Sequence, residues 1–404
     1  MQLPRHDTCR CGIDSVEIAR VERLLHDAPR DDLQRIFSDD ELAEAGTGAG
    51  RAASLAARFT AKEACLKLFP RETALGVIGP ADFAVARDGY GAPHVVCSPS
   101  AQDVLDRHRL RTIALSLTHD RTSASAVAVS EPAATRVPLA GKLIYHLLPI
   151  RRRVVLANLR CVFGATVSGD EIIRLAQAHY AHLARLVGEF VRFPWLSAAR
   201  QAAAVRVDNV EAIVRAAALG KGVLVLTGHF GNWEVATIAA LRQFPQYRGR
   251  LHVVRRALHP RWLDRLVTRR FRRAGFGVLP KRGALDAILD RLAAGDALIF
   301  ILDQHAVGRD GVTVEFFGHP AGTFRSLALL ALTTGAPVVP ATTWREPDGQ
   351  FVVRFEDALP LVDCDDAGDA IRANTRAYNA ALERFVLRHP EQWFWVHRRW
   401  KGEG

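Results

Sequence analysis

The chain has 404 residues, 49% hydrophobic and 24% charged, an ordinary globular balance that excludes a largely disordered or collagen-like protein. The net charge is +11 but unevenly placed: residues 1–130 carry a net −2 and residues 131–404 a net +13, so the two parts suit different partners. Six cysteines with no C-x-x-C pair exclude a disulfide scaffold and a zinc ribbon and fit a reducing cytoplasm; Cys9 and Cys11 read as incidental thiols.

Arg5, His6, Asp7, Arg10, Asp14 and Glu17 deny the first 20 residues the apolar core of a signal peptide. Gly12–Arg20 reads as a strand turning into a helix. Arg51–Phe69, rich in Ala, Leu, Lys and Arg, reads as a strong helix with Leu55, Phe59 and Leu66 toward the core. Glu63 and Lys67, four apart, share a face and would otherwise be a plain surface ion pair. Between residues 77 and 129, short apolar runs alternate with turn signals: Val77–Ile78, Phe83–Ala86, His94–Cys97, Ile113–Leu117 and Ala124–Val129. These imply a small α+β domain. The seam Ser130–Gly141, with two prolines and no periodicity, divides the chain into a domain at 1–130, a linker at 131–141 and a domain at 142–404.

GIDSVEIAR (12–20), ARFTAKEACLK (57–67), DGYGAPHV (88–95) and LSLTHD (115–120) resemble, in that order, the holo-acyl-carrier-protein synthase type of 4′-phosphopantetheinyl transferase. The resemblance implies transfer of phosphopantetheine from coenzyme A to a serine of an acyl carrier protein, with Mg²⁺ held by Asp14 and Glu63. Mg²⁺ takes one or two carboxylates together with substrate phosphates, which suits a pyrophosphate-bearing substrate. Lys67 would then neutralise the leaving phosphate or assist serine deprotonation. Arg20 would meet the acidic carrier, and His119 would lie near the coenzyme or be structural. The family's Gly-rich loop is replaced here by LFPRETALGVIGP (68–80), which leaves the coenzyme side open. The family is usually trimeric, so a homo-oligomer is a further expectation.

In the second part, Pro138–Gly164 is apolar around Arg151, Arg152 and Arg153, fit for an anionic membrane surface or for a first core helix with a basic edge. KGVLVLTGHFGNWEV (221–235) predicts a buried strand at Gly222–Thr227, a tight turn at Gly228 and Gly231, and a helix from near Asn232. His229 and Glu234 then sit at the carboxyl mouth of a strand, where open α/β sheets place their sites. His can act as general base, with a carboxylate fixing its tautomer. Without H-E-x-x-H or G-x-S-x-G, zinc-protease and serine-hydrolase chemistry are unsupported. Residues 248–273 hold ten Arg and one acid, and Arg261, Arg265, Arg269 and Arg273 form a helical ridge that calls for an anionic partner. Aromatics do not interleave with these arginines, which argues against nucleic acid. The uncharged run between Arg325 and Arg345 contains Gly335, Pro337 and Pro340 and reads as buried helix, turn and strand rather than a membrane span.

TGHFGNWE, VVRRALHP, LDQH, VEFFGHPAGT, TTGAPVVPA and EQWFWVHRRWK, between Pro138 and Lys401, resemble the lauroyl/myristoyl acyltransferases of lipid A biosynthesis, within the lysophospholipid acyltransferase group. The resemblance implies an α/β acyltransferase fold with a mixed sheet flanked by helices, beside the α+β phosphopantetheinyl transferase fold of the first domain. It makes His229 the general base and Glu234 its orienting partner. Arg255 would hold acceptor phosphate, Asp303 and Gln304 would line the site or cap a strand, and His397, Arg398 and Arg399 would bind anion or tie down the C-terminus. The family's usual N-terminal anchoring helix is not evident.

The expectation is a bifunctional transferase, cytoplasmic and peripheral on the cytoplasmic face of the inner membrane. Its partners would be an acyl carrier protein and an anionic lipid or glycolipid acceptor. Two alternatives are an acyltransferase whose first domain only docks the carrier, and a non-catalytic basic membrane scaffold. Intact Asp14, Glu63, Lys67, His229 and Glu234 argue against the scaffold.

Overall fold

The computed structural model describes residues 9–401 apart from 75, 134, 149 and 282, with only the backbone at Glu72 and Thr73. Arg5, His6 and Asp7 of the charged N-terminus, Leu75 of the loop after Phe69, Ala134 of the expected linker and Pro149 of the apolar-basic segment lie outside the described residues. The chain divides into two units. One runs to Thr135 and takes in Phe163–Glu171; the other holds Arg136–Val162 and everything from Ile172.

The first unit contains strands β1 (Arg10–Glu17), β2 (Phe83–Arg87), β3 (Pro93–Cys97), β4 (Leu110–His119) and β5 (Ser123–Pro132). β5 is central, antiparallel to β1 and β4, while β2 and β3 form a separate hairpin. The helix Arg51–Leu66 packs on all three strands of the larger sheet, burying Leu55, Ala56, Ala61, Ala64 and Cys65. It ends at Leu66, three residues before the predicted limit, with Lys67 as its cap. Val77–Ile78 is a turn rather than a strand, although Ile78 still reaches the core. An additional helix, Pro99–Arg107, begins where the Ser98 side chain accepts from the Ala101 amide and Pro99 opens the first turn.

A charge pair is sealed inside this unit. Lys62 Nζ lies 2.8 Å from Glu41 Oε2, with side-chain exposures of 0% and 2%. Lys62 also donates to the Phe83 carbonyl at 2.9 Å, and Glu41 accepts from the Ser38 and Val85 amides, each at 2.8 Å. Burial pulls the Lys62 pKa down and Glu41 opposes the fall. The pair joins two helices and β2, so each charge depends on the other.

The second unit contains β6 (Val205–Asp208), β7 (Val223–Thr227), β8 (Leu251–Arg255), β9 (Gly277–Pro280), β10 (Ala297–Ile301), β11 (Gly311–Phe316), β12 (His319–Phe324), β13 (Val338–Arg345) and β14 (Phe351–Phe355). Seven form one sheet in the order β6-β14-β13-β7-β10-β8-β9, parallel except where β14 runs against β13; β11 and β12 form a hairpin. Central β7 is apolar from Val223 to Leu226 because both of its faces are covered. The uncharged run becomes the helix Ser326–Thr334, a turn at Gly335 (φ 66°) and β13, as its composition predicts. No helix among the described residues is long and apolar enough to cross a membrane.

Pro138–Gly164 forms two helices, Leu139–Leu147 and Arg152–Phe163. A Cβ at Gly141 would meet the Gln177 carbonyl oxygen at 2.3 Å, so glycine allows the first of these to press onto the helix Gly169–Arg192. Leu139, Leu143 and Leu147, spaced by four, remain exposed. The arginine ridge lies on the helix Arg261–Ala274, whose Val267 and Phe271 are buried, while Trp262 is 64% exposed.

Lys62→Met strands the Glu41 carboxylate in the interior. We expect it to cost about 3–5 kcal/mol, read by denaturant unfolding of the first unit. The double variant Glu41→Gln, Lys62→Met should lose less than this single variant.

Candidate active sites

In the first unit, β1 meets its covering helix at Gly12. A Cβ there would lie 2.0 Å from the Ala64 carbonyl oxygen, so a larger residue would force strand and helix apart. This close approach sets Asp14 beside Lys67, whose Nζ donates to Asp14 Oδ1 at 2.7 Å and to the Ile13 carbonyl at 2.9 Å. Burial raises the Glu63 pKa first, and the negative charge of Asp14 raises it further, against Lys67 and Arg20. Thus Asp14, Glu63, Lys67 and Arg20 share one electrostatic neighbourhood. A carboxylate whose proton affinity is raised by the charge of a second one is part of a donor set suited to a hard dication. Among the described residues no group of three or more His, Cys, Asp and Glu could hold a metal, so a bound Mg²⁺ would rely on this pair and on substrate oxygens. His119 is exposed on β4, with β5 between it and β1, roughly 10 Å away at the usual strand spacing.

In the second unit, His229 follows β7 and Asp303 follows β10, the parallel neighbour of β7. Asp303 Oδ1 lies 2.8 Å from His229 Nδ1, and Oδ2 accepts from the His229 amide at 2.7 Å and the Trp393 indole at 2.8 Å. Burial alone would raise the Asp303 pKa. The His229 charge and these hydrogen bonds overcome it and hold the carboxyl well below its usual range. Asp303 accepts at Nδ1, which leaves Nε2, without a hydrogen bond among the described residues, to take a proton.

Asp303 therefore occupies the place that the sequence reading gave to Glu234. The helix Trp233–Gln243, capped by Asn232, carries Glu234 in its first turn. Burial raises the Glu234 pKa, opposed by Arg255, Arg270 and then His229. Its charge is balanced chiefly by arginines. Arg255, expected to hold acceptor phosphate, pairs with Asp264 at 2.8 Å and donates to Thr268 at 3.0 Å, so its charge is already engaged.

Glycines again permit the close contacts. A Cβ at Gly228 would approach Asp303 Oδ2 to 3.0 Å, and Gly231 adopts φ 50° against Thr343 and Trp344. The C-terminal segment docks on the same loop: Phe394 donates to the His229 carbonyl and Gly231 to that of Gln392. The His397 ring lies 5.2 Å from that of His229, centroid to centroid, and Gln304 Nε2 lies 3.3 Å from His397 Nε2. Burial, then the His229 charge, push the His397 pKa down to about 4 against Asp303, so it is neutral at neutral pH. Arg398 is on the surface. Arg399 is wholly buried, donating to the Gly322 carbonyl and to Thr323, so it ties down the C-terminus rather than binding an external anion. Trp393 was missed as a positioning residue, although it lies within a stretch singled out by sequence.

Two cavities lie in this unit. A basic pocket of about 450 Å³ is lined by Arg151, Arg256, Gln304, His305, His397, Arg398 and Lys401. An apolar cavity of about 450 Å³ runs between the sheet and the helices Val210–Ala217 and Trp233–Gln243. It reaches Thr227, two residues before His229.

The family profile of the bacterial lipid A biosynthesis acyltransferases matches residues 131–402, and that of the 4′-phosphopantetheinyl transferase superfamily matches residues 10–127. The chain belongs to the lipid A biosynthesis acyltransferase family, with a 4′-phosphopantetheinyl transferase domain preceding the acyltransferase domain, and is a transferase. It is similar to a phosphatidylinositol mannoside acyltransferase of Mycolicibacterium smegmatis, 26% identical over 57% of this chain and 73% of that protein. It is also similar to the lipid A biosynthesis lauroyltransferase of Escherichia coli, 25% identical over 65% and 82%. The first unit is similar to the holo-[acyl-carrier-protein] synthase of Treponema denticola, 40% identical over 30% of this chain and 95% of that protein. A solved Chronobacterium ammoniagenes ACPS–CoA complex matches 31% of this chain and 98% of its own, at 27% identity and a TM-score of 0.27.

Because the folded-state pKa of Glu63 is raised, its ionised form costs stability above that pKa, and the cost disappears as pH falls through it toward the unfolded value, about 4.3. In EDTA the first unit should therefore gain stability on acidification through this window. Glu63→Gln should remove the gain, as read by thermal unfolding at several pH values, and should also remove the Mg²⁺-induced rise in melting temperature that we expect of the native protein.

Proposed function

We propose that the chain is a bifunctional transferase. Its first domain moves 4′-phosphopantetheine from coenzyme A to a carrier-protein serine, and its second moves a fatty acyl chain from a carrier thioester to a hydroxyl of a lipid acceptor. The observation that carries this reading is that each unit brings together a complete set of groups for handling charge and protons. These are Asp14, Glu63 and Lys67 in one unit, and His229 with Asp303 in the other.

In the first reaction Asp14 and Glu63 would hold Mg²⁺, which when bound neutralises the pyrophosphate of coenzyme A. Lys67 faces the phosphate or the incoming serine, while Arg20, exposed beside Glu63, suits an acidic carrier. Exposed His119 suits a coenzyme site completed in a homo-oligomer. In the second reaction the acceptor hydroxyl oxygen attacks the thioester carbonyl as His229 Nε2 takes its proton. Asp303 stabilises the imidazolium, the C–S bond breaks, and the proton passes to the departing thiolate. The apolar cavity ending at Thr227 suits the donor chain, and the basic pocket beside His397 suits an anionic acceptor. The acidic carrier suits the +13 region.

The test pairs two assays on the full-length protein. One reads the intact mass of an apo acyl carrier protein after incubation with coenzyme A and Mg²⁺; the other reads acyl transfer from an acyl carrier to a lipid acceptor. Glu63→Ala or EDTA should abolish only the first. His229→Ala should reduce the second by about 10²–10⁴-fold, and Asp303→Asn should weaken it more than Glu234→Gln. A first domain that never modifies a carrier is a docking module, and two assays indifferent to every variant leave a scaffold.

The row Leu139, Leu143 and Leu147, together with the arginine ridge, supports peripheral attachment to the cytoplasmic face of the inner membrane. Leu143→Glu should weaken cosedimentation with phosphatidylglycerol vesicles severalfold, and high salt should weaken that of the native protein.

A further inference from the structure

The second unit has a further apolar cavity, of about 300 Å³, set against β8 and β10. The helix Leu285–Ala293 lends it Leu285, Ile288 and Leu289, and the helix Ser326–Thr334 lends it Leu329 and Leu330. Leu285 and Leu329 are exposed as well as lining it, so the cavity opens to solvent beside them. A space walled by aliphatic side chains takes a hydrocarbon chain, because filling it removes apolar surface from water.

Lys281 lines this cavity and also reaches solvent. Its amide donates to the Arg255 carbonyl at 3.0 Å, which fixes the backbone just after β9. Its ammonium sits 3.1 Å from the centroid of the Phe324 ring and makes no hydrogen bond or ion pair among the described residues. Burial is the main cause that brings its pKa down to about 8; Asp310 opposes the fall, Arg256 adds to it and Asp303 opposes it. Apolar surroundings and a neighbouring cation are the two conditions that make a lysine amine nucleophilic. Only six of the 54 Lys and Arg residues are lysine, and arginine stays charged and cannot serve in this way. Lys62 is sealed against Glu41 and Lys67 holds Asp14, whereas Lys281 has no such tie.

We propose that Lys281 is a self-acylation site, at which the chain captures a long acyl group from a thioester and stores its hydrocarbon tail in the adjoining cavity. The neutral amine attacks the thioester carbonyl. An amide N–C bond forms, the C–S bond breaks, and the proton lost by the amine passes to the departing thiolate. The amide is neutral, so the step removes an unpaired charge from the cavity edge as the chain fills the cavity. This goes beyond the two transfers above and needs neither His229 nor an external acceptor.

The experiment incubates the full-length protein with lauroyl-coenzyme A and, separately, with a lauroyl carrier protein, and reads intact mass and peptide maps; the donor that reacts is the source of the chain. We expect one hydroxylamine-stable adduct, at Lys281. It should form at least tenfold faster with lauroyl- than with acetyl-coenzyme A, while exposed Lys221 shows no such preference. Its rate should rise about tenfold per pH unit to about pH 8 and then level, where an ordinary lysine, with a pKa of about 10.4, would still be rising. Lys281→Arg, which keeps the charge, should lose the adduct. Ala284→Trp, which fills the cavity, should slow it at least tenfold; should that variant fail to fold, the chain-length comparison tests the cavity. His229→Ala should form the adduct as the native protein does. No adduct from either donor, adducts spread evenly over Lys221 and Lys281, equal rates for the two chain lengths, or dependence on His229 overturns the proposal.

Discussion

A single buried carboxylate organises the acyltransferase unit. Asp303 sits in the interior and would be costly there unless its oxygens were satisfied. Three donors satisfy it: the His229 ring, the His229 amide and the Trp393 indole. These come from the loop after β7 and from the C-terminal segment, while Asp303 itself follows β10. One charge thus binds three distant pieces of chain and at the same time sets the histidine tautomer. Gly228 and Gly231 make the arrangement possible, because side chains there would collide with Asp303 and with β13.

The same logic recurs elsewhere in the chain. Glu41 and Lys62 are tolerated in the interior of the first unit because each completes the other's hydrogen bonding. Such pairs add little net stability compared with apolar packing, yet losing one member is expensive, so they specify how elements meet. Arg399 plays a similar part near the C-terminus, engaged by a carbonyl and a hydroxyl and stacked over Phe316. By contrast Asp14 and Glu63 lie close together without complete neutralisation, the electrostatic condition expected where a cation is to be received.

The acyltransferase unit contains two separate apolar spaces against its large sheet. A parallel sheet covered on both faces buries side chains of both parities, and incomplete filling on each face leaves a cavity. The carboxyl ends of β7 and β10 carry the His229–Asp303 pair, with the basic pocket beside it.

Local pattern was enough to read much of the chain. The strand, glycine turn and helix around His229, the helix carrying Glu63 and Lys67, the helix–turn–strand after Arg325 and the amphipathic arginine helix are all encoded within short windows, because periodicity, glycine freedom and capping act over a few residues. The motifs also identified both families. Tertiary structure alone chose between Glu234 and Asp303 as the partner of His229. One is five residues away and turned among arginines; the other is 74 residues away, yet adjacent because β7 and β10 pair in parallel. It likewise decided that Arg399 is internal, that the charged Lys62 is buried against Glu41, and that Gly12 sets the distance between β1 and its helix. A sequence window specifies which elements form. Which side chains meet depends on strand order, register and the closest approach that packing allows.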